Sequence, residues 1–197
     1  MANRSYLFAS DEHAAVPKDL EILANGAWCV PLLWLPMFVP EDLVRAKEPT
    51  ADGGFIEMLT PIATVAKAIE QIHDAVPYLN ALFRPEGALD KHVALIEDLL
   101  DGVGHEYVGI ELSEIAGTID VKSFNAKLVE VLTHLASGEP RPEARALLAE
   151  LSGVRLERRF LDPAVFKTPK NKATDDEAWN HGMLLGGSYA RAVPWEP

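Results

Sequence analysis

Gly26-Ala27-Trp28-Cys29-Val30-Pro31-Leu32-Leu33-Trp34-Leu35-Pro36-Met37-Phe38-Val39 is the most apolar run in the chain and carries two of its four tryptophans. The twelve residues from Trp28 to Val39 are all apolar or proline. A membrane-spanning helix needs about 20 apolar residues, so the run is too short to cross a bilayer. Pro31 and Pro36 lack backbone N–H groups and resist helix interiors and central strands. The expectation is a buried, irregular or extended segment that feeds the core. Each large apolar side chain it buries gains about 1.5–3 kcal/mol, and Trp28, Leu32, Leu33, Trp34, Leu35, Met37 and Phe38 form the largest local supply. The alternative use is a partly exposed tryptophan patch for binding or oligomerisation. Cys29, inside the run, reads as a small buried apolar residue rather than a nucleophile.

Toward the N-terminus, Asp19 to Asn25 offers one or two helical turns, with Leu20 and Leu23 on one side and Asn25-Gly26 as the stop. Asp11 to Pro17 is a polar loop, and Arg4 to Ala9 reads as a short strand. Beyond the run, Pro40-Glu41-Asp42-Leu43-Val44 has the proline and acids of a short helix opening. Lys47 to Gly54 reads as a loop. Thr60-Pro61 has the chemistry of an N-cap and first helical residue. The stripe that follows, Ile62, Val65, Ile69, Ile72 and Val76, has helical spacing, and Pro77 is expected to break or kink it. Pro85 opens another helix, with Leu89, Val93, Ile96 and Leu100 inward and Gly102 at its end.

Tyr107 to Leu112 is the next strand. Asp120 or Ser123 then caps a helix carrying Phe124, Leu128, Val131, Leu132 and Leu135, closed by Gly138. Pro142 begins one more, with Ala144, Leu147, Leu148 and Leu151 inward. Val154 to Leu161 reads as a strand, Pro169 to Asp176 as a polar loop, Asp175 to Trp179 as a short helix, and Ser188 to Val193 as a last strand. Together these predict an α+β fold: one helix-rich domain over residues 1–197 with a small, mainly antiparallel sheet. Residues 163–197 leave room for a small C-terminal appendage.

A length of 197 residues with 48% hydrophobic content suits a domain with a sizeable core. The single cysteine permits no internal disulfide. Met1 to Phe8 has one basic residue and no apolar core of a signal peptide, so a cytoplasmic protein is expected. The formal net charge is −12. That argues against nucleic acid and anionic membrane as partners, and for a basic protein.

The charge is uneven. From Glu86 to Asp120 there are nine acids and one base, Lys91. From Arg141 to Lys172 eight bases face four acids. The acidic block is either a solvated face that keeps the protein dispersed or a docking surface. It could also be neutralised by the later basic stretch. The residues expected to bind a partner are Glu97, Asp98, Asp101, Glu106, Glu111 and Glu114.

No catalytic motif stands out. There is no phosphate loop, no Gly-x-Gly-x-x-Gly and no Gly-x-Ser-x-Gly. His105 with Glu106, Glu111 and Glu114 is a loose ligand set without zinc-type spacing, so no metal and no cofactor are expected. An enzyme with a site assembled from distant residues would draw first on His105, Glu106, Trp179 and His181.

Met1-Ala2-Asn3-Arg4-Ser5-Tyr6-Leu7-Phe8, with Val30-Pro31-Leu32-Leu33-Trp34-Leu35 and Pro40-Glu41-Asp42-Leu43, resembles a family of bacterial proteins that has no assigned activity. The likeness spans the first quarter of the chain. It implies a bacterial cytoplasmic protein, from genes associated with toxins or secretion, and carries over no catalytic residue. The functional expectation is a non-enzymatic binder, an immunity protein that neutralises a basic toxin or effector domain through its acidic surface. The alternatives are the motif-free enzyme and a structural or regulatory subunit of an oligomer.

Overall fold

The computed structural model describes residues 3–49, 54–83, 89–117, 120–152 and 182–196. The strands β1 (Arg4–Ser10), β2 (Glu21–Ala27), β3 (Leu43–Pro49), β4 (Phe55–Thr64) and β5 (Tyr107–Glu111) form one sheet in the order β2-β1-β5-β4-β3. Every neighbouring pair is antiparallel. The helices are α1 (Val65–Phe83), α2 (Asp90–Asp101), α3 (Ser113–Ala116), α4 (Val121–Ser137) and α5 (Pro142–Ser152). The fold is α+β and helix-rich, as expected.

Directly paired residues of an antiparallel sheet point to the same face. Leu7, Ala9, Ile110, Val108 and Ala63 share one face through their pairings. All five are buried in the main apolar core. The opposite face carries Tyr6, Phe8, Tyr107, Gly109 and Ile62. Phe8 lies across Gly109, where an added Cβ would come within 2.5 Å of the ring.

The apolar run lies at the centre of the helical layer. Leu32–Met37 forms a 3₁₀ helix whose six residues are all buried. It touches α1, α4 and α5. A 3₁₀ turn suits this sequence because Pro36 cannot donate and a short tight turn asks for few i→i+4 bonds. Val30 N–H donates to Leu151 C=O at 3.0 Å, which ties the run to α5. A second 3₁₀ turn, Pro40–Asp42, leads into β3. Asp42 is buried there and is met by Lys67 Nζ, by Gln71 Nε2 at 3.2 Å and by Val39 N–H at 3.0 Å.

Several local expectations are corrected. Asp19 to Asn25 is not helical: residues 21–27 form β2, because pairing with β1 buries Leu23 and Ala24. Asn25-Gly26 is inside that strand rather than at a stop. Lys47 to Pro49 belong to β3 rather than to a loop. Thr60-Pro61 does not open a helix but lies inside β4. Pro61 falls where pairing with β3 ends and just before pairing with β5 begins, so its missing N–H costs the ladder little. The helix starts at Val65, and the stripe loses only Ile62.

Pro77 does not break α1, which runs from Val65 to Phe83 with the proline on its exposed side. Ser188 to Val193 is not a strand; in the described segment 182–196 Gly187 alone bridges β2, at Asn25. The strand expected at 154–161, the loop at 169–176, the helix ending at Trp179 and the opening at Pro85 lie outside the described residues. Tyr107–Glu111, read as a strand from partial alternation, is the central strand of the sheet. Asp120 caps α4 by accepting from Ser123 N–H at 2.9 Å, and Gly138 closes it at φ +65°.

β4 extends beyond its pairing with β5. Asn125 of α4 completes the exposed ladder there. Its Nδ2 donates to Glu57 C=O at 2.7 Å and its Oδ1 accepts from Leu59 N–H at 3.4 Å. The side-chain amide stands in for a strand at a place where bare backbone groups would otherwise need water. Two indoles fix the segment 182–196, one from the core and one of its own. Trp34 Nε1 donates to Leu185 C=O and Trp195 Nε1 donates to Gly186 C=O, each at 2.9 Å.

Candidate functional site

The six acids chosen from the sequence do not form one patch. Glu106 immediately precedes β5 and Glu111 ends it, so the two stand about 17 Å apart at antiparallel strand rise. Glu111 accepts from Ser113 N–H at 2.7 Å, at the start of α3. Glu114, on α3, accepts from Arg4 N–H at 3.0 Å and from Tyr6 Oη at 3.1 Å. Burial, and then this carboxylate, raise the Tyr6 phenol above its ordinary value. The Tyr6 ring meets Tyr189 edge-on at 5.3 Å. Glu111 and Glu114 therefore take part in local structure at the far end of β5.

Asp98 and Asp101 are exposed near the C-terminal end of α2, and Glu106 follows five residues later. Among the described residues, no Lys or Arg lies within ion-pair distance of these three. Glu97, one residue earlier on α2, faces His73 Nε2 at 3.0 Å.

At this end of the sheet β1 stops, β2 starts and β5 starts. The polar loop between β1 and β2 consequently comes to His105. Asp11 Oδ1 lies 3.3 Å from Nδ1, Asp19 Oδ2 lies 3.9 Å from Nδ1, and Glu21 Oε2 lies 3.4 Å from Nε2. Glu21 also pairs with Arg191 Nη1 at 3.1 Å through its other oxygen.

The loop is held by its own acids. Asp19 accepts from Ser10 Oγ and, at 2.8 Å, from Asp11 N–H. Asp11 accepts from Glu106 N–H at 3.1 Å. Ser10 and Asp11 together hold the Asp19 carboxyl below the usual carboxylate range. Glu106 accepts from the Tyr107 hydroxyl, which raises that phenol. The His13 ring stacks at a tilt on Tyr107 at 5.1 Å.

An acidic pole results. Asp11, Asp19 and Glu21 surround His105, and Glu106 follows it and meets Asp11 through its backbone. Asp98 and Asp101 are exposed near the end of α2, the helix whose chain leads into His105. Arg191 connects the two halves, since its Nη2 would lie 3.7 Å from a Cβ placed on Gly102 at the end of α2. Beside it, Leu20, Glu21, Ile22, Ala190 and Arg191 line an open depression.

The sequence pattern singles out His105 and Glu106 but misses Asp11, Asp19 and Glu21. The only signal for them is the long-range pairing of Ser10 with Tyr107, which no local periodicity announces. Trp179 and His181 lie outside the described residues, as do Arg155, Arg158, Arg159, Lys167, Lys170 and Lys172 of the basic stretch. Of that stretch, the described Arg141 pairs with Glu139.

The apolar run supplies most of its side chains to the core, but it leaves one of its large ones outside. Trp28 is 66% exposed and holds φ +63°, a left-handed conformation that is uncommon for a bulky residue. Cys29 is buried, and that burial pushes its thiol up to about 11. Native protein should therefore resist iodoacetamide at pH 8, whereas denaturant-unfolded protein should react at the rate of a free thiol, read by mass spectrometry. Because the folded value lies above the unfolded value near 9, this contribution to stability is full below pH 9 and is lost as pH rises toward 11.

Comparison of the chain with protein-family models, with curated proteins and with solved structures returns no match.

Proposed function

We propose that the protein is a non-enzymatic binder, a bacterial immunity protein that neutralises a basic toxin or effector domain in the cytoplasm through its acidic pole. The observation that supports this reading is the set Asp98, Asp101 and Glu106, near the end of α2 and the start of β5, together with the acids of the β1–β2 loop that Glu106 meets through Asp11. The first three are exposed, and no described Lys or Arg pairs with them. Such a surface speeds the approach of a cationic partner and selects against anionic ones. Carboxylates held by backbone hydrogen bonds, as Asp11 and Asp19 are, lose little conformational freedom on docking.

Glu111 and Glu114 have a smaller part in this reading than the sequence assigned to them, because Glu111 already holds the start of α3 and Glu114 already holds β1. The experiment is to co-express the chain with the product of its neighbouring gene and measure binding by calorimetry and stopped flow. The triple variant Asp98→Asn/Asp101→Asn/Glu106→Gln should slow association at least tenfold at low salt and weaken affinity by a similar factor. Glu111→Gln should change affinity by less than twofold. Absence of a complex, or equal binding by the triple variant, would overturn the reading.

A further inference from the structure

The groups at His105 ask for a cation. Glu21 Oε2 faces Nε2, and Glu21 is itself braced by Arg191. Metal-binding histidines are oriented in this way, with the second ring nitrogen turned to a carboxylate. If the ring hydrogen is on Nε2, Nδ1 presents a lone pair. That atom is buried from solvent and makes no hydrogen bond of acceptable geometry, although two carboxylate oxygens flank it. A lone pair among carboxylate oxygens is repulsive unless a positive charge lies between them.

The spacing suits a metal ion. Nδ1, one oxygen of Asp11 and one of Asp19 all lie within 4.8 Å of one another. Tetrahedral bonds of about 2.0–2.1 Å to nitrogen and oxygen imply ligand-to-ligand edges of about 3.3 Å. Nδ1 stands 3.3 Å from Asp11 Oδ1, which already fits, and 3.9 Å from Asp19 Oδ2, while the two carboxylate oxygens lie within 4.8 Å of each other, so a bound ion would draw the exposed Asp19 and Asp11 side chains inward. The hydrogen bonds from Ser10, Asp11 N–H and Glu106 N–H fix the carboxylates while leaving each oxygen a lone pair for coordination.

We propose that His105 Nδ1, Asp11 and Asp19 bind a divalent first-row transition ion, with Glu21 as the residue that orients the imidazole. One nitrogen and two carboxylate oxygens favour Zn²⁺ or Mn²⁺ over Mg²⁺, which prefers an all-oxygen shell. With three protein ligands, the remaining positions fall to water or to a donor from a docked partner. Structurally the ion would pin the β1–β2 loop to the start of β5 and lower the charge of the acidic pole by two. This inference does not depend on the immunity reading, since it concerns the isolated chain.

The test is isothermal titration of untagged, chelator-treated full-length protein with ZnCl₂ and MnCl₂, with MgCl₂ as comparison. Thermal melts with and without metal accompany it. Wild type should show one saturable site and a rise in Tm. His105→Gln and Asp11→Asn should each weaken that site at least thirtyfold and abolish the Tm rise, with far-UV circular dichroism unchanged. Glu21→Gln, which leaves all three ligands in place, should weaken it by about tenfold. His73→Gln should bind as wild type, because the His73–Glu97 pair offers only two ligands. A site that survives in His105→Gln, or no saturable binding in wild type, would overturn the proposal.

Discussion

Trp34→Ala should destabilise the protein by about 3–5 kcal/mol, the usual cost of deleting a large buried aromatic. The side chain is wholly buried within the 3₁₀ helix at the centre of the helical layer. Two losses add. The cavity removes packing from the run that touches α1, α4 and α5, and Leu185 C=O loses its indole donor. Gly186 sharpens the fit: at φ +82°, a Cβ there would come within 2.5 Å of the Trp34 ring. The ring and the C-terminal segment are therefore built against each other. Since small domains are stable by only about 5–15 kcal/mol, the variant should be partly unfolded at 37 °C. Trp34→Phe, which keeps most of the packing and loses the donor, should cost less, about 1–3 kcal/mol. Urea unfolding followed by circular dichroism measures both. A Trp34→Ala midpoint equal to wild type would mean that the run is not the core of the fold.

The second large effect runs against strand propensity. Gly109→Val introduces a residue that strands favour, yet it should destabilise by about 3 kcal/mol, at the upper end of overpacking costs. Gly109 is in the central strand, paired on one side with Phe8 and on the other with Ile62. A Cβ there would stand 2.5 Å from Phe8 Cζ, 2.9 Å from Phe8 Cε1 and 2.9 Å from Pro61 O. The phenyl ring could turn aside only by leaving a fully buried position, and the carbonyl belongs to a strand that cannot shift. Gly104→Ala is the control: an added methyl there would meet nothing within 4 Å. It should be neutral or stabilising by a few tenths of a kcal/mol through the unfolded chain. Thermal melts of the two variants should therefore move far apart, although both replace glycine with a β-carbon.

Helices with a clear stripe and a named cap were legible without coordinates. Val93, Ile96 and Leu100 on α2 and Leu89 just before it are all buried, and Asp120 with Gly138 bounds α4 as its residues suggest. Each depends on interactions within four residues, which local pattern records. The errors came where a local signal met a distant partner. Thr60-Pro61 is a good helix start in isolation, but β3 and β5 claim the residues on either side of it. Asn25-Gly26 is a good turn, but β1 draws it into a strand. Pro77 is tolerated because it lies on the exposed side of a helix that packing on its other side sustains.

The candidate site shows the same division. Negative charge between Glu86 and Asp120 was visible as composition, and His105 was visible as one of the two histidines inside it. Which carboxylates surround that histidine was not, because Asp11, Asp19 and Glu21 are more than 80 positions away and arrive through the β1–β5 ladder. The separation of Glu106 from Glu111 was equally hidden, since it follows from one strand running the width of the sheet.

By itself the sequence determined the supply: a proline-broken apolar run that must be buried, helices with one apolar side, and an excess of acid. Tertiary structure decided the placement, through the register of β1 on β5, the docking of Trp34 on Leu185, and the loop acids set around His105. Burial preference and helical period are properties of a residue and its near neighbours. Register and the meeting of distant side chains are set by the free energy of the whole packed chain.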